Sequence, residues 1–399
     1  MNSQTPPDST SFPSPYFDGQ EPPPHPTIRS LRELIAQVSG KSFTSDVLEP
    51  SGLAEILPFP FMGLVGQTEM KVALLLALIN PAINGVILLG PRGTGKTTAV
   101  RSLLDLLPDI ERSACFYGCL PQDIEAGGMD AVCPDCARKY AEGFPLTKTD
   151  RVRLVELPLN ARIDDVVGGL DDRALVHERL RLKRGILAQA DQNILYADEV
   201  NLLGDDVVDA TLDAAAQGKY TVNRGPATAT YNARFTLIGS MNPEEGSLRP
   251  QIMDRFGLRV IVRGLQNAQE RLEAYRRVCA YTENPRQMIE HFKDETDQAR
   301  EDIQQARRLL PQVELSSDLA HTCIEVIQRL KIDSLRAEIN LFESARAYAA
   351  SDGRNKVELK DVQAVAHMCL RLRRSSFITR YFQEQSEEDQ EIEAALKSA

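Results

Sequence analysis

The sequence predicts an α/β fold, a parallel sheet with helices on both faces, followed by an all-α domain. Three observations predict it. Apolar runs of strand length alternate with helix-periodic segments between residues 85 and 264. A glycine-rich stretch, "GPRGTGKTT", joins the first of these runs to a helical segment. Beyond residue 264 the strand-like runs stop and charged amphipathic patterns take over.

The chain begins with a Pro/Ser-rich tail, residues 1–45, whose first Lys or Arg is Arg29. It has neither the basic start nor the apolar stretch of a secretory signal, and its acids fit a transit peptide poorly. A disordered tail with a helix at 27–40 and a cytoplasmic protein are the expectations. No apolar run approaches the roughly 18 residues of a membrane span. The strongest, "VALLLALINPAINGVILLG", is broken by Pro81 and Asn84 and reads as helix, turn and strand.

Residues 46–264 form the expected nucleotide-binding core. Its strands are "GVILLG" (85–90), "VRLVELP" (152–158), "NILYADE" (193–199), "RFTLIGSMN" (234–242) and "LRVIVRG" (258–264). A helical linker, 265–310, follows, with helices in "NAQERLEAYRRVCAY" and "DETDQAREDIQQARRLL". Pro311 interrupts the pattern and opens a helical domain, 311–375. There Leu315, Leu319, Ile327 and Leu330 share one helical face, Ser316 or Ser317 is the N-cap, and Gly353 stops the next helix. An acidic tail, 376–399, closes the chain. With 46 Lys and Arg against 57 Asp and Glu, the net charge of −11 argues against a nucleic-acid footprint.

"GPRGTGKTT" has the spacing of a phosphate loop, with a strand before it and a helix after it. The backbone of Gly90, Pro91, Arg92, Gly93, Thr94 and Gly95 would cradle phosphates. Lys96 would reach the β- and γ-phosphates, and Thr97, next to Thr98, would offer its hydroxyl to Mg²⁺. Such a site needs an acidic pair at a neighbouring strand end, and "NILYADE" supplies it. Asp198 would hold the metal and Glu199 would polarise water. Asn242 ends the next run; alone it would be a turn former, but in this order it can orient water or touch the γ-phosphate.

These residues, with "DEVNLL" and "NPEEGSLRPQIMDRFGL", make the chain resemble the AAA+ ATPase subunits of magnesium chelatases, over about residues 59–352. The resemblance implies ATP and Mg²⁺ as cofactors, and a role powering Mg²⁺ insertion into protoporphyrin IX. It makes Asn242 the sensor 1 residue, Arg255 the arginine finger and Arg336 the sensor 2 arginine, and places Val65, Gly66 and Gln67 at the adenine. The helical domain becomes the lid. Two insertions, one in 162–185 and a β-hairpin in 218–235, become partner-facing. The implied partners are further copies in a hexameric ring, an AAA+ co-subunit with an integrin-type domain, and a large porphyrin-binding subunit, with no nucleic acid. A MoxR-type or cobalt-chelatase ATPase is the alternative.

One stretch departs from the common family pattern. "CFYGCLPQDIEAGGMDAVCPDC" carries Cys115, Cys119, Cys133 and Cys136 as C-x₃-C and C-x₂-C pairs. A structural Zn²⁺, a redox-sensing dithiol and unligated thiols all fit this spacing. Cys279, Cys323 and Cys369 lie in helical patterns and are expected to pack.

Overall fold

The computed structural model describes residues 57–107, 109–169, 183–224, 227–246 and 248–374. The expected N-terminal tail with its 27–40 helix, the acidic tail, and residues 170–182 of the first insertion lie outside them. In chain order the described strands are β1 (Val86–Leu89), β2 (Ile110–Ser113), β3 (Thr147–Asp150), β4 (Leu154–Leu157), β5 (Ile194–Ala197), β6 (Lys219–Arg224), β7 (Ala227–Asn232), β8 (Thr236–Met241) and β9 (Leu258–Ile261).

Five of them form one parallel sheet in the order β4-β5-β8-β1-β9, and they are the five strands predicted from the sequence. Because successive side chains alternate faces, β1 feeds two cores. Val86 and Leu88 join one cluster, Ile87 and Leu89 the other, and all four are buried. The first face is covered by α1 (Thr68–Ile79), α2 (Lys96–Ser102) and part of the helical region described below. Between α2 and β4 lie α3 (Pro121–Gly127) and α4 (Pro134–Ala141). The second face is covered by α5 (Ile163–Val167), α6 (Ile186–Gln189), α7 (Asp205–Gln217) and α8 (Pro250–Arg255).

All five strands point the same way, so their C-terminal ends share one edge of the sheet. Chain order reverses around β1, which lies between β8 and β9, and a crevice opens there. Gly90 leaves β1 at this edge. A Cβ on it would stand 2.1 Å from the Val262 carbonyl oxygen, so only glycine lets β9 run past the start of the loop.

The helical region comprises α9 (Ala268–Glu283), α10 (Pro285–His291), α11 (Lys293–Leu309), α12 (Ser317–Arg329), α13 (Leu335–Ser351) and α14 (Leu359–Leu370). Ser316 caps α12, its hydroxyl accepting from Leu319 N at 3.4 Å, and Gly353 adopts φ 70° just past α13. Pro311 sits in a short 3₁₀ turn between α11 and α12. Ile327 is buried as predicted, but Leu330 is 39% exposed, because α12 ends at Arg329 and the helical face ends with it. Cys323 and Cys369 are buried and Cys279 is half-buried.

The expected hairpin is the antiparallel pair β6–β7, registered from Lys219 opposite Asn232 to Arg224 opposite Ala227. Not foreseen were α10, the antiparallel pair β2–β3, and the two helices between them, α3 and α4.

Candidate functional site

The phosphate loop runs from Gly90 to the start of α2. Gly93 and Gly95 take φ of 74° and 85°, a region only glycine enters freely, which turns backbone N–H groups inward. Lys96 donates to its own loop, with Nζ 2.7 Å from Gly90 O and 2.8 Å from Pro91 O. Burial pushes its pKa down, against the opposing pull of Asp198, Glu199 and Glu245. Thr94 braces the turn through Oγ1 to Pro91 O at 3.0 Å.

The acidic end of β5 faces this loop. Thr97 Oγ1 lies 3.5 Å from Asp198 Oδ2 and 3.1 Å from the Tyr196 hydroxyl, which donates to Asp198 Oδ1 at 2.8 Å. Ser240 of β8 donates to the same Asp198 oxygen. Its Oγ also accepts from Glu199 N at 3.1 Å. Glu199 itself sits at φ 51°, ψ 55°, a strained backbone for a residue with a Cβ. Its carboxylate meets Arg92 Nη2 at 3.3 Å, and Arg92 also holds Glu245 at 2.5 Å. Asn242 is buried at the end of β8, its amide donating to Glu245 Oε1 at 3.2 Å.

Two adjoining clefts meet across the loop. One, about 230 Å³, is lined by Arg92, Lys96, Thr97, Asp198, Glu199 and Asn242. The other, about 350 Å³, is walled by Val65, Gln67, Leu265 and, from α9, Ala274 and Val278. They share Gly93, Thr94, Gly95 and Thr98. The first is polar and floored by the loop, suited to phosphates; the second is walled mainly by apolar side chains, suited to a flat base. Gln67 (φ 53°) is pinned by Nε2 to Arg263 O at 2.7 Å. At Gly66 a Cβ would meet the Leu265 side chain at 2.7 Å. No residue lining either cleft belongs to α12, α13 or α14.

Two sequence candidates stand apart from the clefts. Arg255, the last residue of α8, pairs with Asp213 of α7. Arg336, half-exposed, reaches Asp254 Oδ2 at 3.3 Å. Asp254 also binds Ser334, Arg259 and Arg373.

The four cysteines of the insertion converge. Their sulfur atoms all lie within 4.8 Å of one another, with Cys115 3.7 Å from Cys119 and 3.6 Å from Cys133. Hydrogen bonding with Cys119 pulls the Cys115 thiol well below its ordinary range, while burial pushes Cys136 up.

Sequence reasoning missed Tyr196, Ser240, Glu245 and Asp254. Tyr196 and Ser240 each precede a predicted site residue by two positions, and period-2 alternation puts such pairs on one face of a strand. That signal was present. Asp254 offered none beyond its place in "DRF", since its partners lie up to 119 residues away.

A family profile described as "Magnesium chelatase, subunit ChlI" matches residues 169–252, and one described as "AAA lid domain" matches residues 319–395. The chain is 43% identical over 323 residues to a magnesium-chelatase subunit ChlI homolog of Methanocaldococcus jannaschii, covering 80% of this chain and 87% of that one. It is 39% identical over 351 residues to the chloroplastic magnesium-chelatase subunit ChlI of Oryza sativa subsp. indica, covering 87% and 83%. The crystal structure of a candidate ATPase from Cytophaga hutchinsonii overlays with a TM-score of 0.51 at 20% identity, covering 78% of this chain and 84% of that one, a likeness of fold.

Proposed function

The chain belongs to the magnesium-chelatase subunit ChlI family, and on that premise we propose that it is the ATP-hydrolysing motor that powers Mg²⁺ insertion into protoporphyrin IX. The observation that carries the ATPase reading is the set Thr97, Tyr196, Asp198 and Ser240, hydrogen-bonded to one another beside the phosphate loop. Thr97 and Asp198 would hold the Mg²⁺ of MgATP, which neutralises phosphate charge when bound. Lys96 takes the phosphates once it leaves its carbonyl partners. Glu199 polarises the attacking water, and Asn242 orients it. Arg92 pairs with Glu199 at 3.3 Å, and phosphate oxygens would compete for that guanidinium.

Arg255 completes a neighbouring subunit's site as arginine finger, in a hexameric ring. What supports this is that Arg255 lines neither of the chain's own clefts and is partly exposed in its pair with Asp213. Arg336, half-exposed beside Asp254, acts as sensor 2. Residues 46–264 are the core, 265–310 a linker whose α9 walls the base cleft, and 311–375 the lid. An AAA+ co-subunit with an integrin-type domain and a large porphyrin-binding subunit complete the enzyme. Four clustered thiols suit a reducing compartment, so the cytoplasm is the place of work, and a structural Zn²⁺ on those thiols is part of this reading.

The test is reconstitution. Mixed with both co-subunits, Mg²⁺ and protoporphyrin IX, the chain should give Mg-porphyrin fluorescence only when ATP is present. Lack of ATP-dependent product with active co-subunits would overturn the chelatase assignment.

A further inference from the structure

We propose that Cys115, Cys119, Cys133 and Cys136 hold one structural Zn²⁺, and that this centre seats the root of the β6–β7 pair. The first half rests on geometry. Four thiolates about 2.3 Å from a tetrahedral zinc stand about 3.8 Å apart. Cys115 lies 3.7 Å from Cys119 and 3.6 Å from Cys133, and all four sulfurs fall within one 4.8 Å set. A disulfide would need about 2.05 Å. Two of the sulfurs are oriented by backbone donors, Tyr117 N to Cys115 Sγ at 3.2 Å and Cys133 N to Cys119 Sγ at 3.4 Å. Such bonds favour thiolates and fix ligand direction. The sulfurs come from both ends of the insertion, with Cys133 capping α4 and Cys119 following Gly118 at φ 80°.

The apolar core of the insertion itself is small. Its own apolar cluster contains only three members that are not cysteine among its buried and half-buried residues, Ile124, Leu146 and Val132. A cluster so small contributes little to ordering the cysteine loops against each other, and a metal clip would supply that order.

The second half follows from what the first cysteine loop touches. The residues between Cys115 and Cys119 face β7. Tyr117 stacks on Tyr231 at 5.6 Å and Phe116 meets Tyr231 edge-on at 5.9 Å. Gly118 O accepts from Asn232 Nδ2 at 3.0 Å and from Arg234 Nη2 at 2.9 Å. Asp123, at the start of α3, takes Arg234 Nη1 at 2.9 Å. Arg234 lies between β7 and β8, the strand that leads into Asn242. A metal that fixes the cysteine loop therefore fixes the point from which β6–β7 departs. The centre carries no ligand position for chemistry, because all four sites are filled by protein.

The experiment uses the full chain, purified without chelators or metal-affinity resin. Elemental analysis should find about one zinc per chain and none in excess of a tenth in Cys136→Ser. Amide exchange within 219–232 should quicken at least tenfold in Cys136→Ser, with ATP affinity retained as the check on folding. Asp123→Asn should keep its zinc and yet speed the same amides. Should Cys136→Ser not fold, zinc stripped from the wild-type chain by a chelator and then restored must raise and reverse that exchange. Zinc-free protein, iron in its place, or a Cys115–Cys119 disulfide overturns the site. Zinc present with unchanged exchange in the variants overturns its seating role. None of these readouts depends on chelatase activity.

Discussion

Glu199 occupies a left-handed backbone that costs a residue with a side chain about 1 kcal/mol or more, and its N–H is held by Ser240. The strain aims a carboxylate at the cleft where a relaxed turn would aim it elsewhere. Glu199→Gln should therefore bind ATP with little change while turnover falls about 10²–10⁴-fold, measured by nucleotide titration against steady-state phosphate release. A parallel loss of affinity would mean that Glu199 holds nucleotide rather than activating water. Asp105 is a second residue out of its ordinary state: burial lifts its pKa to about 6, against the opposing charge of Arg300. The folded chain keeps that proton to about pH 6 and the unfolded chain releases it near 4, so folding takes up a proton between them. Stability from this group is present below pH 4 and lost as pH rises through 6. Asp105→Asn should stabilise the protein at pH 7.5 by on the order of 1 kcal/mol after allowance for solvent screening, and by nothing near pH 4, in paired urea melts.

Among the elements, α8 ties the core to the helices beyond it. Its Asp254 takes Arg373 at 2.6 Å and Arg259 at 3.4 Å, both guanidiniums out of reach of water, and Ser334 and Arg336 from the turn before α13 and its first residues. Burial, then the nearness of Arg373, pushes Arg259 down to about 9. Asp254→Asn keeps the shape and removes the charge, leaving two buried cations without a carboxylate, and should cost about 3–5 kcal/mol in denaturant melts. The contrast with the sheet shows what sequence can carry. "GVILLG" and "NILYADE" announced β1 and β5 because a buried parallel strand is a local apolar run, and "GPRGTGKTT" is legible because a phosphate loop is contiguous. The cysteine spacing likewise pointed to one another's sulfurs. The Asp254 node was not legible, because a charged partner 119 residues away leaves no periodic trace. The pair β2–β3 escaped for a different reason: "IERS" and "TKTD" are polar edge strands with no apolar alternation to find.

For the whole molecule, the proposed ring makes each catalytic centre the property of two chains. Arg255→Ala chains should bind ATP normally, hydrolyse it about 10³-fold or more slowly when pure, and depress wild-type rings out of proportion to their share when mixed. A strictly linear decline with dose would separate Arg255 from the neighbour's site. No helix among the described residues is long and apolar enough to cross a membrane. The pairing of Arg255 with Asp213 gives this arrangement a further property. A lone guanidinium would have to be stripped of water to meet a phosphate, but here one anion is exchanged for another. Exposed pairs of this kind are worth about 0–1 kcal/mol, so the exchange sits near balance and reverses readily. In the proposed ring, Asp213 would then be the finger's resting berth: the arginine would have somewhere to go after each phosphate leaves, and the cycle could reset without the ring coming apart.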